Sequence, residues 1–334
     1  MIDPVDLTRQ LLVIPSPTGH EQAVSAWMAD YLGGLGYAVE RQRVSDGRDN
    51  VYARRAPPVV VFSTHLDTVP PDVPFREDAT TLHGRGSCDA KGLAAAMVAA
   101  AERLHDSGED RVALLFVVGE EDGSDGVRAA DQLHPKGRFL VNGEPTENRL
   151  VVAQKGALRI KLTASGRAAH SGYPELGESA VNHLLDALER IRRIDLPVDS
   201  LLGPSTLNIG RIQGGAAPNV LAPSAGAELL IRLVGDGAPV RAAVLKAAGG
   251  DVVVEFPLEI PAHRAPSLPG WEETAVAFAS DLPFFGAWGT GYQLGPGSIH
   301  VAHTDREHLT KQALLEGVDR YEQLARTLLA GLTS

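Results

Sequence analysis

Three carboxylates stand side by side, Glu120, Glu121 and Asp122, directly after the apolar run Val112 to Val118 in "RVALLFVVGEEDGSDG". An unbroken apolar run of this length reads as a strand covered on both faces. Like charges packed at its end repel and raise one another's pKa, so a cation is expected beside them. The pattern recurs along the chain. His65 and Asp67 in "STHLDTV", Asp89 in "GRGSCDAKG" and Glu144 in "VNGEPTE" each follow a buried strand. In open α/β sheets ligands bind beyond the carboxyl ends of the strands, so these groups converge in one crevice. A histidine with several carboxylates suits a divalent zinc, manganese or cobalt ion, and the lack of a cysteine cluster makes such a site catalytic rather than structural. Each residue also has an ordinary reading alone: a polar strand end for His65, a solvated loop for the glutamates, a helix cap for Asp89. Four coincidences at strand ends favour the shared site. Cys88, beside Asp89, reads as a small buried apolar residue rather than a ligand.

The elements that must position these groups follow from periodicity. Thr18 followed by Glu21 has the form of a capping box ahead of "EQAVSAWMADYL", with Gly33 and Gly34 as its stop. The β-rich runs "YAVERQRV", "NVYARRA" and "PPVVVFSTH", the alanine-rich helix "AKGLAAAMVAAAERLHDSG", and the strands "RVALLFVV" and "RFLVNGE" alternate as an α/β sheet requires. From about Lys155 the texture changes to alternating strands and helices in the order β-α-β-β-α-β, the signature of a ferredoxin-like unit. The expected organisation is therefore an α/β domain with a mostly parallel sheet over residues 1–153 and 258–334, interrupted by an α+β domain over 154–257.

Composition narrows the class. At 334 residues the chain exceeds the roughly 250–300 at which single cores stop growing, which makes two domains the expectation. A net charge of −11 argues against nucleic acid as a partner. No apolar run approaches the ~20 residues of a membrane span, and the N-terminus lacks the pattern of a signal peptide. With a single cysteine, Cys88, these features predict a cytoplasmic protein acting on small solutes.

Seven motifs carry a resemblance. "HLDTVP" (65–70), "GRGSCDAKG" (84–92), "GEED" (119–122), "GEPT" (143–146), "GRAAHSGYPELGESAV" (166–181), "NIGRIQGGAAPNV" (208–220) and "LGPGSIHVAHTDREHL" (294–309) span nearly the whole chain. In this order they resemble the zinc-dependent amidohydrolase and peptidase family of acetylornithine deacetylase, succinyl-diaminopimelate desuccinylase, aminoacylase and the glutamate carboxypeptidases. The resemblance implies two zinc ions, replaceable by cobalt or manganese. His65 and Glu144 would hold one, Glu121 and His303 the other, and Asp89 would bridge them. His300 is a competing ligand, set aside because "AHTDREHL" matches the closing motif in register. Asp67 would orient His65, Glu120 would serve as general base, and His170 would donate to the oxyanion, often in a partner subunit's site.

For the substrate's carboxylate, the resemblance implies Arg232 and Asn219 from the inserted domain. The loop at Gly295, Gly297 and Ser298 would offer backbone N–H groups as a nest. Arg232 equally reads as a surface salt bridge. Asp281 stands where the family usually carries Thr-Asp-Ala, and the pairs Arg54–Arg55 and Arg192–Arg193 read as solvated surface. The expected activity is hydrolysis of the amide of an N-acyl amino acid by a homodimer joined through the inserted domain. Acetylornithine deacetylase of arginine or lysine biosynthesis is the nearest match. A hydrolase acting on carrier-linked lysine, a succinyl-diaminopimelate desuccinylase, a dipeptidase or carboxypeptidase, and a non-catalytic binding protein are the rivals.

Overall fold

The structure, a computed structural model, describes residues 2–133 and 137–331. In chain order its principal strands are β1 (Ala38–Ser45), β2 (Arg48–Arg54), β3 (Val60–His65), β4 (Val112–Val117), β5 (Phe139–Asn142), β6 (Gly156–Ser165), β7 (Thr206–Gly214), β8 (Ser224–Leu233), β9 (Val252–Ile260) and β10 (Thr290–Gln293). The principal helices are α1 (Pro4–Leu12), α2 (Gln22–Gly34), α3 (Lys91–Asp106), α4 (Ala180–Ile191), α5 (Gly237–Ala248) and α6 (Lys311–Ala330). They group into two compact units. The first comprises Met1–Val152, Ala265–Thr274 and Ser280–Ser334, and the second Ala153–Arg264 with Ala275–Ala279.

In the first unit six strands form a mixed sheet in the order β1-β2-β4-β3-β5-β10. β4, β3, β5 and β10 run parallel, and His65 pairs with Val117, Ser63 with Asn142, and Asn142 with Gln293. The four strands therefore end along one edge, which places His65 and the segments after Val117, Asn142 and Gln293 together. The unbroken apolar runs have a direct cause. Alternate side chains of a strand point to opposite faces. Phe62, Leu114 and Phe116 enter the core formed with α1, α2, α3 and α6, whereas Val61, Ala113, Leu115 and Val117 enter a second core with Leu282, Phe285 and Trp288. Burying each large side chain contributes about 1.5–3 kcal/mol. Both faces must be apolar, so the polar groups are pushed to the strand ends.

The start of α3 is fixed by close packing. A Cβ added at Gly92 would lie 2.3 Å from the Ser87 carbonyl oxygen and 2.6 Å from Leu309, so only glycine fits between the Asp89 loop and the C-terminal segment. A short antiparallel pairing of Thr81–His83 with His308–Thr310 joins the same two segments. The α2 signal resolves differently from the expected capping box. Thr18 donates its hydroxyl to Asp67 (2.8 Å) and Glu21 pairs with Arg48, so both side chains are taken by partners distant in sequence. The helix also runs through Gly33 and Gly34, and the chain turns at Gly36 with φ +87°.

In the second unit β7-β8-β6-β9 form an antiparallel sheet. With α4 and α5 this is the β-α-β-β-α-β order and strand arrangement of a ferredoxin-like unit. The helices cover one face, burying Leu158, Ile160 and Leu162 from β6 with Leu184 and Val244. Lys161 and Thr163 alternate outward, as a half-buried strand requires. β9 continues past residue 257 to Ile260, which pairs with Ala157, so a boundary at 257 would cut the strand. Among the described residues no helix is long and apolar enough to cross a membrane.

Candidate active site

His65, the last residue of β3, is buried, and its Nε2 lies 3.0 Å from Asp89 Oδ1. Its Nδ1 is 2.9 Å from the Asp67 backbone carbonyl and 3.5 Å from the Asp67 carboxylate. Orientation of the ring thus rests first on that carbonyl, which accepts Nδ1–H and leaves the Nε2 lone pair aimed at Asp89. Two electron-rich atoms facing each other need a cation or a proton between them. Burial opposes the imidazolium, but the Asp67 and Asp89 carboxylates outweigh it and hold the His65 pKa well above the ordinary value.

The Asp67 carboxylate has a second task. It accepts the Thr18 hydroxyl and, at 3.1 Å each, the backbone N–H groups of Glu120 and Glu121. Burial would raise its pKa, yet His65 and these donors hold it below the usual range, so it stays ionised. One buried carboxylate therefore fixes the turn that aims both glutamates. Sequence reading assigned Asp67 only to His65. Its partners are backbone N–H groups, which no residue type advertises.

Asp89 is buried between two histidines. Oδ2 is 3.3 Å from His303 Nε2, and that nitrogen is also 3.0 Å from the Glu121 carboxylate. Burial opposes ionisation of Asp89, but His303 and His65 hold its pKa far below the ordinary value. The helix-cap reading of Asp89 fails: α3 begins at Lys91 with Ala90 as its cap residue and no side-chain cap. His303 adopts φ +62°, a left-handed conformation uncommon outside glycine. It is His303 rather than His300 that reaches Asp89 and Glu121, while His300 is exposed.

Atoms of His65, Asp89 and Glu121 all lie within 4.8 Å of one another, an arrangement that could hold a metal ion. Glu144 is buried nearby, its carboxylate accepting from Asn142 at 3.3 Å. Burial, followed by the charge of Asp89, pushes its pKa well up. Glu120 is half-buried, and desolvation together with Glu144 and Asp281 pushes its pKa well above the carboxylate range. Asp281 is fully buried, and burial raises its pKa to about 7 against the opposing effect of Ser124. Among the described residues the ion-pair partners of Asp89 and Glu121 are the two imidazoles, not lysine or arginine. So many carboxylates without a fixed cation fit a divalent metal. Cys88 stays outside the set. Its Sγ donates to the Ser298 carbonyl at 3.4 Å, and burial keeps the thiol protonated.

The loop after β10 makes contacts within its own chain that bear on its expected role. The Gly295 N–H already donates to Thr146 Oγ1 at 3.0 Å, so it cannot also bind an anion, a correction to its reading as a nest donor. Gly297 has φ +85°, and a Cβ there would lie 2.6 Å from Cys88 Sγ, which demands glycine. The Ser298 hydroxyl donates to Glu147 at 2.9 Å.

His170, Asn219 and Arg232 belong to the second unit. His170 is exposed, and its Nδ1 accepts the Gly172 N–H at 3.0 Å, which places the proton of the neutral ring on Nε2 and makes that nitrogen a donor. The Asn219 carbonyl accepts from Ser171, and His170 bridges to Val220, so these loops meet. Arg232 is half-buried on β8 between Ala157 and Thr206.

One further carboxylate escaped the sequence reading. Glu307 is buried and gathers backbone N–H groups of the Asp89 loop, and its only sequence signal is its place four residues after His303 within "HTDREHL".

The comparisons with known proteins converge on this architecture. Residues 61–327 match the model of Peptidase family M20/M25/M40. A peptidase M20 domain-containing protein of Schizosaccharomyces pombe is 40% identical over 333 residues, covering 96% of this chain and 83% of its own length. A probable carboxypeptidase of Aspergillus clavatus is 37% identical, covering 96% of this chain and 81% of its own. A tripeptidase from Staphylococcus aureus shares the fold with a TM-score of 0.80 at 21% identity, over 97% of this chain and 98% of its own. With most of its length, including the strand ends that carry its histidines and carboxylates, matched in this way, the chain belongs to peptidase family M20/M25/M40, whose members hydrolyse amide bonds.

Proposed function

We propose that the chain hydrolyses the amide joining an acyl or peptidyl group to an amino acid with a free α-carboxylate. It does so with two divalent ions, zinc first, held by His65, Glu144, Asp89, Glu121 and His303. The supporting observation is the placement of Asp89 between His65 and His303 with Glu121 in contact and, among the described residues, without a lysine or arginine partner. When bound, the ions polarise the scissile carbonyl and acidify the attacking water. Glu120 stands beside this group without a histidine partner among the described residues. Its carboxylate accepts the water proton and returns it to the leaving nitrogen, a task that suits a carboxylate whose pKa burial and neighbouring carboxylates push well up. Asp67 keeps Glu120 in place through its backbone N–H. His170 Nε2–H is the assigned donor to the oxyanion. Arg232, Asn219, Gly297 and Ser298 are assigned to the substrate's carboxylate. The second unit is the assigned surface of a homodimer, and the cytoplasm the assigned compartment.

An N-acetyl amino acid is the smallest molecule with this linkage, so the deacetylase reading and the carboxypeptidase names of relatives describe one bond. N-acetylornithine is the narrower candidate, supported by the "GEPT" and "GPGSIHVAHTDREHL" segments. The test is amine release from N-acetyl and N-succinyl amino acids, N-acetylornithine included, and from N-blocked dipeptides with free or amidated C-termini. Zinc-dependent turnover that vanishes on C-terminal amidation is expected. Equal turnover of amidated and free substrates would overturn the proposal.

A further inference from the structure

Among the described residues Glu307 makes no hydrogen bond or ion pair to either histidine of the cluster, yet it is bound to the cluster's central carboxylate through the backbone. Its Oε1 accepts N–H groups from Gly86 (2.9 Å), Cys88 (3.2 Å) and Asp89 (3.1 Å), and its backbone carbonyl accepts the Gly84 N–H at 3.1 Å. Its Oε2 accepts Arg85 Nη1 at 2.6 Å, with both side chains almost completely buried. The N–H groups of Gly84, Gly86, Cys88 and Asp89 thus rest on one residue more than two hundred positions away. That residue lies in the same segment as His303, whose ring contacts Asp89 Oδ2.

We infer that Glu307 is a positioning residue that locks the Asp89 loop in register with His303, so that the metal ligands stand ready before an ion arrives. This rests on the metal site proposed above. Three buried N–H groups directed at one oxygen require an acceptor with spare lone pairs and negative charge, which a carboxylate supplies. Arg85 offsets that charge from the other side and fixes which oxygen faces the loop. A glutamine of the same size has one acceptor oxygen and one NH2. If the oxygen faces the loop, the NH2 meets the Arg85 guanidinium donor to donor. If the amide flips, three buried N–H groups lose their acceptor. Either way Asp89 is released from its register with His303. Ligand-orienting residues of this kind typically carry ten- to a hundredfold in metal affinity.

The experiment compares the parent, Glu307→Gln and the double variant Arg85→Met/Glu307→Gln. Chelator-stripped protein is titrated with zinc against a competing chelator, and its cobalt absorption spectrum and circular dichroism are recorded. Glu307→Gln is expected to weaken zinc binding by ten- to a hundredfold with a changed cobalt spectrum and parent-like circular dichroism. The double variant removes the donor opposite the amide, lets its oxygen face the loop, and is expected to regain most of the affinity. If Glu307→Gln fails to fold, the double variant carries the test: parent-like affinity supports the inference, and a hundredfold loss refutes it. Parent-like affinity and cobalt spectrum in folded Glu307→Gln refute it as well, and leave the proposed function standing. A parent that binds no zinc sinks both.

Discussion

Two clusters of buried charge flank the turn at Gly119–Gly126, and they solve the same electrostatic problem in opposite ways. On one side Arg48 places its guanidinium between Glu21, fully buried, and Asp125, tying the start of α2 to the helix that follows the turn. The cation is part of the chain, and the network is complete as folded. On the other side, among the described residues, Asp89 and Glu121 have only His65 and His303 for ion-pair partners, and Glu144 and Asp281 lie close enough to raise the pKa of Glu120. Buried charge of one sign is tolerated only when paired. The first cluster therefore holds the scaffold together, and the second leaves its cation to be supplied from solution.

This contrast sets the largest expected effect. Glu120→Gln removes the free carboxylate without removing a ligand, and kcat is expected to fall by roughly two to four orders of magnitude. Zinc content, measured by atomic absorption, should match the parent, and a variant that kept normal kcat would end the base assignment. His303→Ala should instead release one of the two ions, whereas unchanged stoichiometry would shift the ligand to His300. The fixed-cation cluster responds differently. Arg48→Met strands Glu21 as a buried unpaired charge and is expected to cost about 3–5 kcal/mol of stability in urea unfolding. Added zinc should not restore it, because Glu21 and Asp125 face an arginine site rather than the histidine pair.

The same contrast separates what could be read from the sequence and what could not. His65, Glu121 and Glu144 were visible because parallel strands must end along one edge, and an apolar run that stops at a carboxylate announces that edge. The mixed, mostly parallel sheet followed from strand and helix alternation for the same reason. Thr18 and Glu21 were misread because a capping box is a local pattern, and here Asp67 and Arg48 compete for both side chains. The second task of Asp67, the engaged N–H of Gly295 and the cradle made by Glu307 all depend on backbone groups. Every residue but proline has such an N–H, so nothing in residue type distinguishes them. Register and proximity decide, and both are tertiary.

The smallest expected effect is a pH dependence that only the cluster with histidine partners should show. In the metal-free protein the carboxylates of Asp89 and Glu121 raise the His303 pKa from 6.5 to about 10, against the opposing effect of burial. A raised folded pKa means that the native state binds the extra proton, so this stabilisation is fully present below pH 6.5 and is lost as pH rises through about 10. Glu120 and Glu144, whose pKa values are pushed up mainly by burial, act in the same direction. Lys91 acts in the opposite direction, because burial lowers its pKa to about 8 and the native state gains stability above that pH. Lys91 contacts the Ile14 carbonyl rather than the cluster, so its contribution is common to metal-free and zinc-loaded protein and cancels in the difference. The Tm of chelator-treated protein is therefore expected to fall relative to that of zinc-loaded protein between pH 6.5 and 10, since bound metal replaces the proton on His303. Parallel Tm profiles for the two forms across that range would place His303 outside the ligand set, and the two clusters would then be alike in carrying their own cations.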